Sequence, residues 1–158
     1  MKDLEGFATA ELSEEGVVIP LRNVEGKLTE HWIKIRGTDS SHFKKAQSTF
    51  RRKVLLLNEL QEQKETLQNT IKIEEETKKL LSALVAEWSF KNDDGTPYPC
   101  SKANIIKVLT DAPILAQEID LVSARRKNFI KRSLKKSAAL PKSNSISKKD
   151  QKKVTSAS

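Results

Sequence analysis

Gly16-Val-Val-Ile-Pro-Leu-Arg22, Asn23-Val-Glu-Gly-Lys27 and Leu28-Thr-Glu-His-Trp-Ile-Lys-Ile35 set the architecture of this chain. The first run is β-branched and apolar. The second is a turn with a glycine in its fourth place. The third alternates, with Leu28, Glu30, Trp32 and Lys34 on one side and Thr29, His31, Ile33 and Ile35 on the other. Two short β-rich runs around a Gly-containing turn predict a hairpin over 16–36. Pro20 lacks an amide proton and places its strand at an edge. A lone hairpin is marginal in water, so this one must pack on something.

The residues after the hairpin supply the packing partner. Gly37-Thr-Asp39-Ser-Ser41 is a helix start, with Asp39 or Ser40 able to accept the first free amides. From His42 to Glu87 there is neither Pro nor Gly. Phe43, Ala46, Phe50, Val54, Leu57, Leu60, Leu67, Ile71, Leu81, Val85 and Trp88 recur at three- and four-residue steps, which predicts helix over 42–88. Unbroken, it would run about 70 Å at ~1.5 Å per residue. Polar residues interrupt the stripe at Lys64, Glu74 and Lys78, so two helices broken near 68–70 are expected; a sustained coiled coil is the rival reading. Asp94-Gly95 and the prolines at 97 and 99 end this region. Ser101 then caps a short helix at 105–109, and Pro113 suits the first position of a last helix. The expected fold is mainly α with an N-terminal β-hairpin. It forms one domain over 16–135, between a flexible acidic N-terminus (1–15) and a lysine-rich tail (136–158) too poor in apolar residues to order itself.

The composition agrees. Of 158 residues, 37% are hydrophobic and 32% charged, which favours long solvated helices over a thick core. A single cysteine, Cys100, leaves no internal disulfide and no Cys-based zinc site. The longest apolar runs, such as Val54 to Leu57, fall far short of a membrane span of roughly 18 residues. Met1 to Gly16 carries five acids and no apolar run, so it does not read as a secretory signal. The net charge of +8 is unevenly placed: Arg125 to Lys153 holds +11, leaving −3 for the rest. Such asymmetry suggests a polyanion, an acidic protein partner, or a solvating tail. No aromatic follows Phe129, so no base-stacking platform accompanies those lysines.

Enzymatic templates fail on residue types. The five glycines form no GxGxxG or GxxxxGK[ST] phosphate loop. A calcium loop forced onto 90–101 would have Phe90 and Ser101 at its first and last ligand places. Cys100 has no histidine near it in sequence, and Glu74-Glu75-Glu76 reads as a solvated helix face. The expectation is a non-enzymatic protein with no metal and no cofactor. Trp88 and Phe90 have two readings, as core closure or as aromatic anchors for a partner.

Trp88-Ser-Phe-Lys-Asn-Asp-Asp-Gly95-Thr-Pro97-Tyr-Pro-Cys-Ser101-Lys-Ala-Asn104-Ile-Ile-Lys-Val-Leu109 resembles the tail assembly chaperones of long-tailed bacteriophages and prophages. Members of that family tend to show an aromatic helix end, a Gly-x-Pro turn, a Ser-x-x-Asn helix start, a Pro-led helix and a late phenylalanine. Pro113-Ile-Leu-Ala-Gln117-Glu-Ile119 and Asn128-Phe129 fit the later part, and the hairpin with Gly37-Thr-Asp39-Ser40 fits the earlier one. The charged stretch 61–79 and the lysine-rich tail depart from the pattern.

The resemblance implies a chaperone that binds the tape-measure protein in the host bacterial cytoplasm, helps recruit tail-tube protein, and is absent from the finished virion. Oligomers are compatible with it, and many relatives have a longer frameshifted form. Lys-Lys pairs at 135–136, 148–149 and 152–153 could be encoded by slippery codons. The residues that carry the resemblance, Trp88, Phe90, Gly95, Pro97, Ser101, Asn104, Pro113 and Phe129, become the candidate partner-binding residues. The alternative is a nucleic-acid-associated or regulatory protein acting through its basic tail.

Overall fold

A computed structural model of the chain describes residues 2–59 and 67–131. The lysine-rich tail at 136–158 and its Lys-Lys pairs lie outside the described residues. The elements run α1 (Ala10–Glu15), β1 (Val17–Arg22), β2 (Leu28–Ile35), α2 (Ser41–Glu59), α3 (Leu67–Ser82), β3 (Val85–Trp88), α4 (Lys102–Asp111) and α5 (Pro113–Ala124). A 3-10 turn, Arg126–Phe129, comes after α5.

The hairpin forms as expected. β1 and β2 pair antiparallel, Val17 opposite Ile35 and Pro20 opposite Trp32. Asn23 builds the turn, its Oδ1 accepting from the amides of Glu25 and Lys27 at 3.0 Å each. Gly26 closes it at φ +79°, where a side chain would be strained. Pro20 does lie on an edge strand, since the sheet order is β1-β2-β3.

The third strand corrects the sequence reading, which carries a helix through to Trp88. Helix α3 stops at Ser82, and Val85–Trp88 lies antiparallel along the free edge of β2. Val85 pairs with Ile35, but Glu87 pairs with Lys34, so Ala86 is an extra, bulged residue. Without the bulge, Val85 and Trp88 would point to opposite faces; with it both are buried, at 4% and 8% exposure. A three-residue spacing between buried positions is a helical signature, which is why periodicity mistakes this strand for helix. The start of β3 is tied to the end of β2. The Arg36 amide donates to the Leu84 carbonyl at 2.6 Å, and its Nη1 reaches the Val85 carbonyl at 3.2 Å.

The long helical stretch forms two separate helices, as expected, but not with a break at 68–70. Residues 68–70 are helical, in the first turn of α3, where polar residues favour a helix start as readily as a break. Helices α2 and α3 run antiparallel. Lys53 Nζ sits 3.2 Å from the Glu76 carboxylate, and Phe50 lies beside Leu80. In one continuous helix, residues 53 and 76 would stand about 35 Å apart. Burial pushes the Glu76 carboxyl up, but hydrogen bonds from Lys79 and Lys53 outweigh it and leave it below the ordinary range.

Helices α3, α4 and α5 cover one face of the sheet. Leu21, Ile33, Ile35, Leu81, Leu84, Val85, Trp88, Ile105, Leu109 and Ile119 form the core there. Ser101 caps α4 as the sequence predicts, its Oγ accepting from the Asn104 amide, but the helix runs from Lys102 to Asp111 rather than over 105–109; α5 begins with Pro113. Leu84 is fully buried.

A smaller cluster of Leu12, Val17 and Phe129 docks α1 beside the 3-10 turn after α5. The flexibility expected of residues 1–15 does not extend to Ala10–Glu15, which is helical with Leu12 and Ser13 buried. The reason is partly electrostatic. Glu14 accepts from the Ser41 amide at 2.6 Å and from the Ser41 hydroxyl at 2.8 Å, capping α2 from another element, and it also meets His42 Nδ1. Asp39 accepts from the Thr9 hydroxyl at 2.6 Å and from two nitrogens of Arg126. Gly37 passes so close that a Cβ there would lie 2.3 Å from Ser13 Oγ.

The Leu84→Ala variant is expected to lose about 2–5 kcal/mol of stability in chemical denaturation, because its site is enclosed and cannot collapse. The hydrogen bonds from Ser41, then that from His42, hold the Glu14 carboxyl down from 4.5 to about 2. A depressed carboxyl stabilises the fold above its unfolded value, and that contribution is lost as pH falls toward about 2. Acid unfolding between those values should therefore flatten in Glu14→Gln, measured by circular dichroism against pH.

Candidate partner-binding surface

The loop after β3 is built around Trp88. Its indole Nε1 donates to the Tyr98 carbonyl at 2.7 Å, and its ring stacks on Tyr98 with centroids 5.7 Å apart and planes 7° apart. Phe90 also packs against Trp88, at 5.2 Å, and His31 packs on Phe90 at 5.5 Å. Each contact lies in the range where aromatic pairs attract beyond simple burial.

The turn residues make this stack possible. Gly95 takes φ +84°, and its amide donates to the Asn92 carbonyl at 2.9 Å. Asp94 Oδ1 accepts from the amide and hydroxyl of Thr96, and these bonds hold its carboxyl below the usual range. Lys91 bridges Pro97, and the Tyr98 amide donates to the Phe90 carbonyl at 2.9 Å. The Asn104 side chain then donates to the Pro99 carbonyl at 2.9 Å. Gly95, Pro97, Ser101 and Asn104 thus set the course of the loop that lays Tyr98 on Trp88.

Beside the stack lies an open apolar groove of about 280 Å³. Its walls include Leu21 and Val24 from the hairpin, His31 and Phe90 from the stack, and Ile114 and Leu115 from the start of α5. Val24 is 84% exposed and Ile114 42%. An exposed apolar concavity between three elements is the kind of surface that receives a partner's apolar side chain.

The structure thus divides the candidate residues. Phe90 lines the groove, and Pro113 starts the helix that contributes Ile114 and Leu115. Trp88 is buried and meets the groove only through its ring contact with Phe90. Phe129 is 1% exposed in the smaller cluster with Leu12 and Val17, away from this surface. Sequence reasoning missed Val24, Ile114 and the wall formed by Leu21. A valine set in an otherwise polar turn was the available signal.

Cys100 packs half-buried against the core. Burial pushes its thiol up, so the protonated form dominates at neutral pH. Among the described residues, no three His, Cys, Asp or Glu side chains are placed to hold a metal ion. No helix there is long and apolar enough to cross a membrane. When the chain is compared with protein-family models, curated proteins and solved structures, nothing matches.

Alkylation of Cys100 by iodoacetamide, followed against pH, should show a midpoint above that of the same thiol in the denatured chain, which is expected near ~8.5.

Proposed function

We propose that this chain is a non-enzymatic tail assembly chaperone of a long-tailed phage or prophage, binding the tape-measure protein through the groove beside Phe90. The groove carries the reading. It is open, apolar and formed by residues in and around the stretch that resembles the family. A chaperone for a long helical client must cover apolar helix faces and must keep the complex dissolved. The exposed Val24 and Ile114 provide the first, and a chain that is 32% charged provides the second.

On this reading Phe90, Val24 and Ile114 contact the client, while Trp88 and the Gly95 loop hold Phe90 in place. Recruitment of tail-tube protein and departure from the finished virion belong to the same proposal, as does residence in the host bacterial cytoplasm. The lysine-rich tail would add electrostatic attraction without specificity.

The test is co-expression with the products of the neighbouring reading frames and capture through a tag, washed in about 0.5 M salt to strip purely electrostatic contacts. A long helical protein should be retained, and it should be insoluble when expressed alone. The Val24→Lys/Ile114→Lys variant should keep its circular dichroism spectrum and bind at least about tenfold more weakly, as expected for anchors in a small groove. Retention of nucleic acid alone, or a helical client that binds this variant as well as the wild type, would overturn the reading.

A further inference from the structure

Helix α2 carries a second surface, away from the client groove. Phe50, Val54 and Leu57 are half-buried on the side that packs on α3. Arg52, Leu55, Leu56 and Glu59 are exposed, the two leucines at 59% and 57%. These four residues share one stripe. At 3.6 residues per turn, Arg52 and Glu59 stand about two turns apart, roughly 10 Å along the axis, and the leucines lie between them, one to each side of the line. Leu56 is on the α3 flank, where it lines an open pocket of about 250 Å³ with Lys53, Leu57, Lys72, Glu75 and Glu76. Leu55 is on the other flank. Among the described residues, neither Arg52 nor Glu59 belongs to a salt bridge. Arg52 meets the Ser48 hydroxyl at 3.5 Å.

Read along α2, the stripe runs basic, apolar, acidic, and its midpoint falls between Leu55 and Leu56. Such a stripe is complementary to a second copy of itself. Laid antiparallel about that midpoint, Arg52 of each chain comes level with Glu59 of the other, and the leucines of both chains meet at the centre. A parallel pairing would set Arg52 against Arg52 and Glu59 against Glu59, and like charges brought together at an interface repel. The charges therefore select the antiparallel sense.

We propose that the chain forms a two-fold symmetric dimer, α2 of one copy lying antiparallel on α2 of the other about an axis between Leu55 and Leu56. The contact is isologous: the Arg52–Glu59 pair occurs twice and no face of this kind is left free, so assembly stops at two copies. Burial of Leu55 and Leu56 from both chains supplies the apolar part, and the ion pairs set direction and register. One helix pair is a small interface, so the dimer is weak and concentration-dependent. The client groove takes no part in it, and self-association is read by size alone, so either proposal can fail without the other.

Sedimentation velocity of the full chain, from about 1 to about 300 µM, covers the range where a small interface associates. The wild type should pass from monomer to dimer with concentration and go no further. Arg52→Glu and Glu59→Arg should each dimerise at least about tenfold more weakly, with unchanged helical content by circular dichroism, because each sets like charges together at both ends of the contact. The variant carrying both exchanges should recover, since the same pairs then form with their charges swapped. The two single variants mixed in equal amounts should also recover, as each supplies the charge the other needs. The groove variant Val24→Lys/Ile114→Lys should dimerise as the wild type does. A wild type that stays monomeric or grows beyond a dimer would overturn the proposal. So would single exchanges that leave dimerisation unchanged, a double exchange or mixture that fails to recover, or a dimer lost in the groove variant.

Discussion

Strand β2 is central in a three-stranded sheet, and the backbone groups along both its edges must find partners. The hairpin turn fills one edge at short range. The other edge is filled by a strand some fifty residues later, and that long-range pairing converts two packed helices and a hairpin into one folded unit. The bulge at Ala86 couples the pairing to the core, because it turns both Val85 and Trp88 inward. Trp88 then organises the next loop through its bond to the Tyr98 carbonyl and its two aromatic neighbours.

The molecule divides accordingly. The sheet with α3, α4 and α5 forms a two-layer body with a closed core. The part of α2 beyond Phe43 leans on α3 and leaves its far side in water. The polar clamps from Glu14 and Asp39 are exposed or partly so, and they fix the N-terminal helix where the small Leu12–Val17–Phe129 cluster would be too slight to hold it alone. Charge-assisted hydrogen bonds are the stronger kind and suit this task. The body presents an apolar groove, and the α2–α3 pair leaves Leu55, Leu56 and Ile71 exposed.

The motif residues show how a sequence signature and a surface differ. Gly95, Pro97, Ser101 and Asn104 stand out because backbone geometry demands them: a positive φ, a bridge, a cap and a carbonyl to be satisfied. Their effect on the groove is indirect, through the position of Phe90. The groove-lining aliphatic residues carry no such local signature. Val24 is merely a valine in a turn and Ile114 merely the second residue of a helix, until the hairpin and α5 are brought side by side.

Features governed by neighbours a few residues away were legible in the chain alone. Alternation and the Asn23–Gly26 turn specified the hairpin, Pro20 specified the edge, and Asp39-Ser40, Ser101 and Pro113 marked helix starts, with the structure choosing Ser40 over Asp39 as the first of these caps. These are short-range effects, visible in any window long enough to hold one turn or one cap. Long-range contacts settled the remainder. The three-residue step from Val85 to Trp88 is helical by period, and it became a bulged strand because the free edge of β2 offered backbone partners that no local window contains. Residues 1–15 read as flexible because they are polar and acidic; Ser41, bonded to Glu14, and Asp39, bonded to Thr9, lie far along the chain and hold Ala10–Glu15 against the body. Which apolar residues stay exposed, and therefore where a partner can bind, depends on which faces the packed elements leave uncovered, and only the assembled fold settles that.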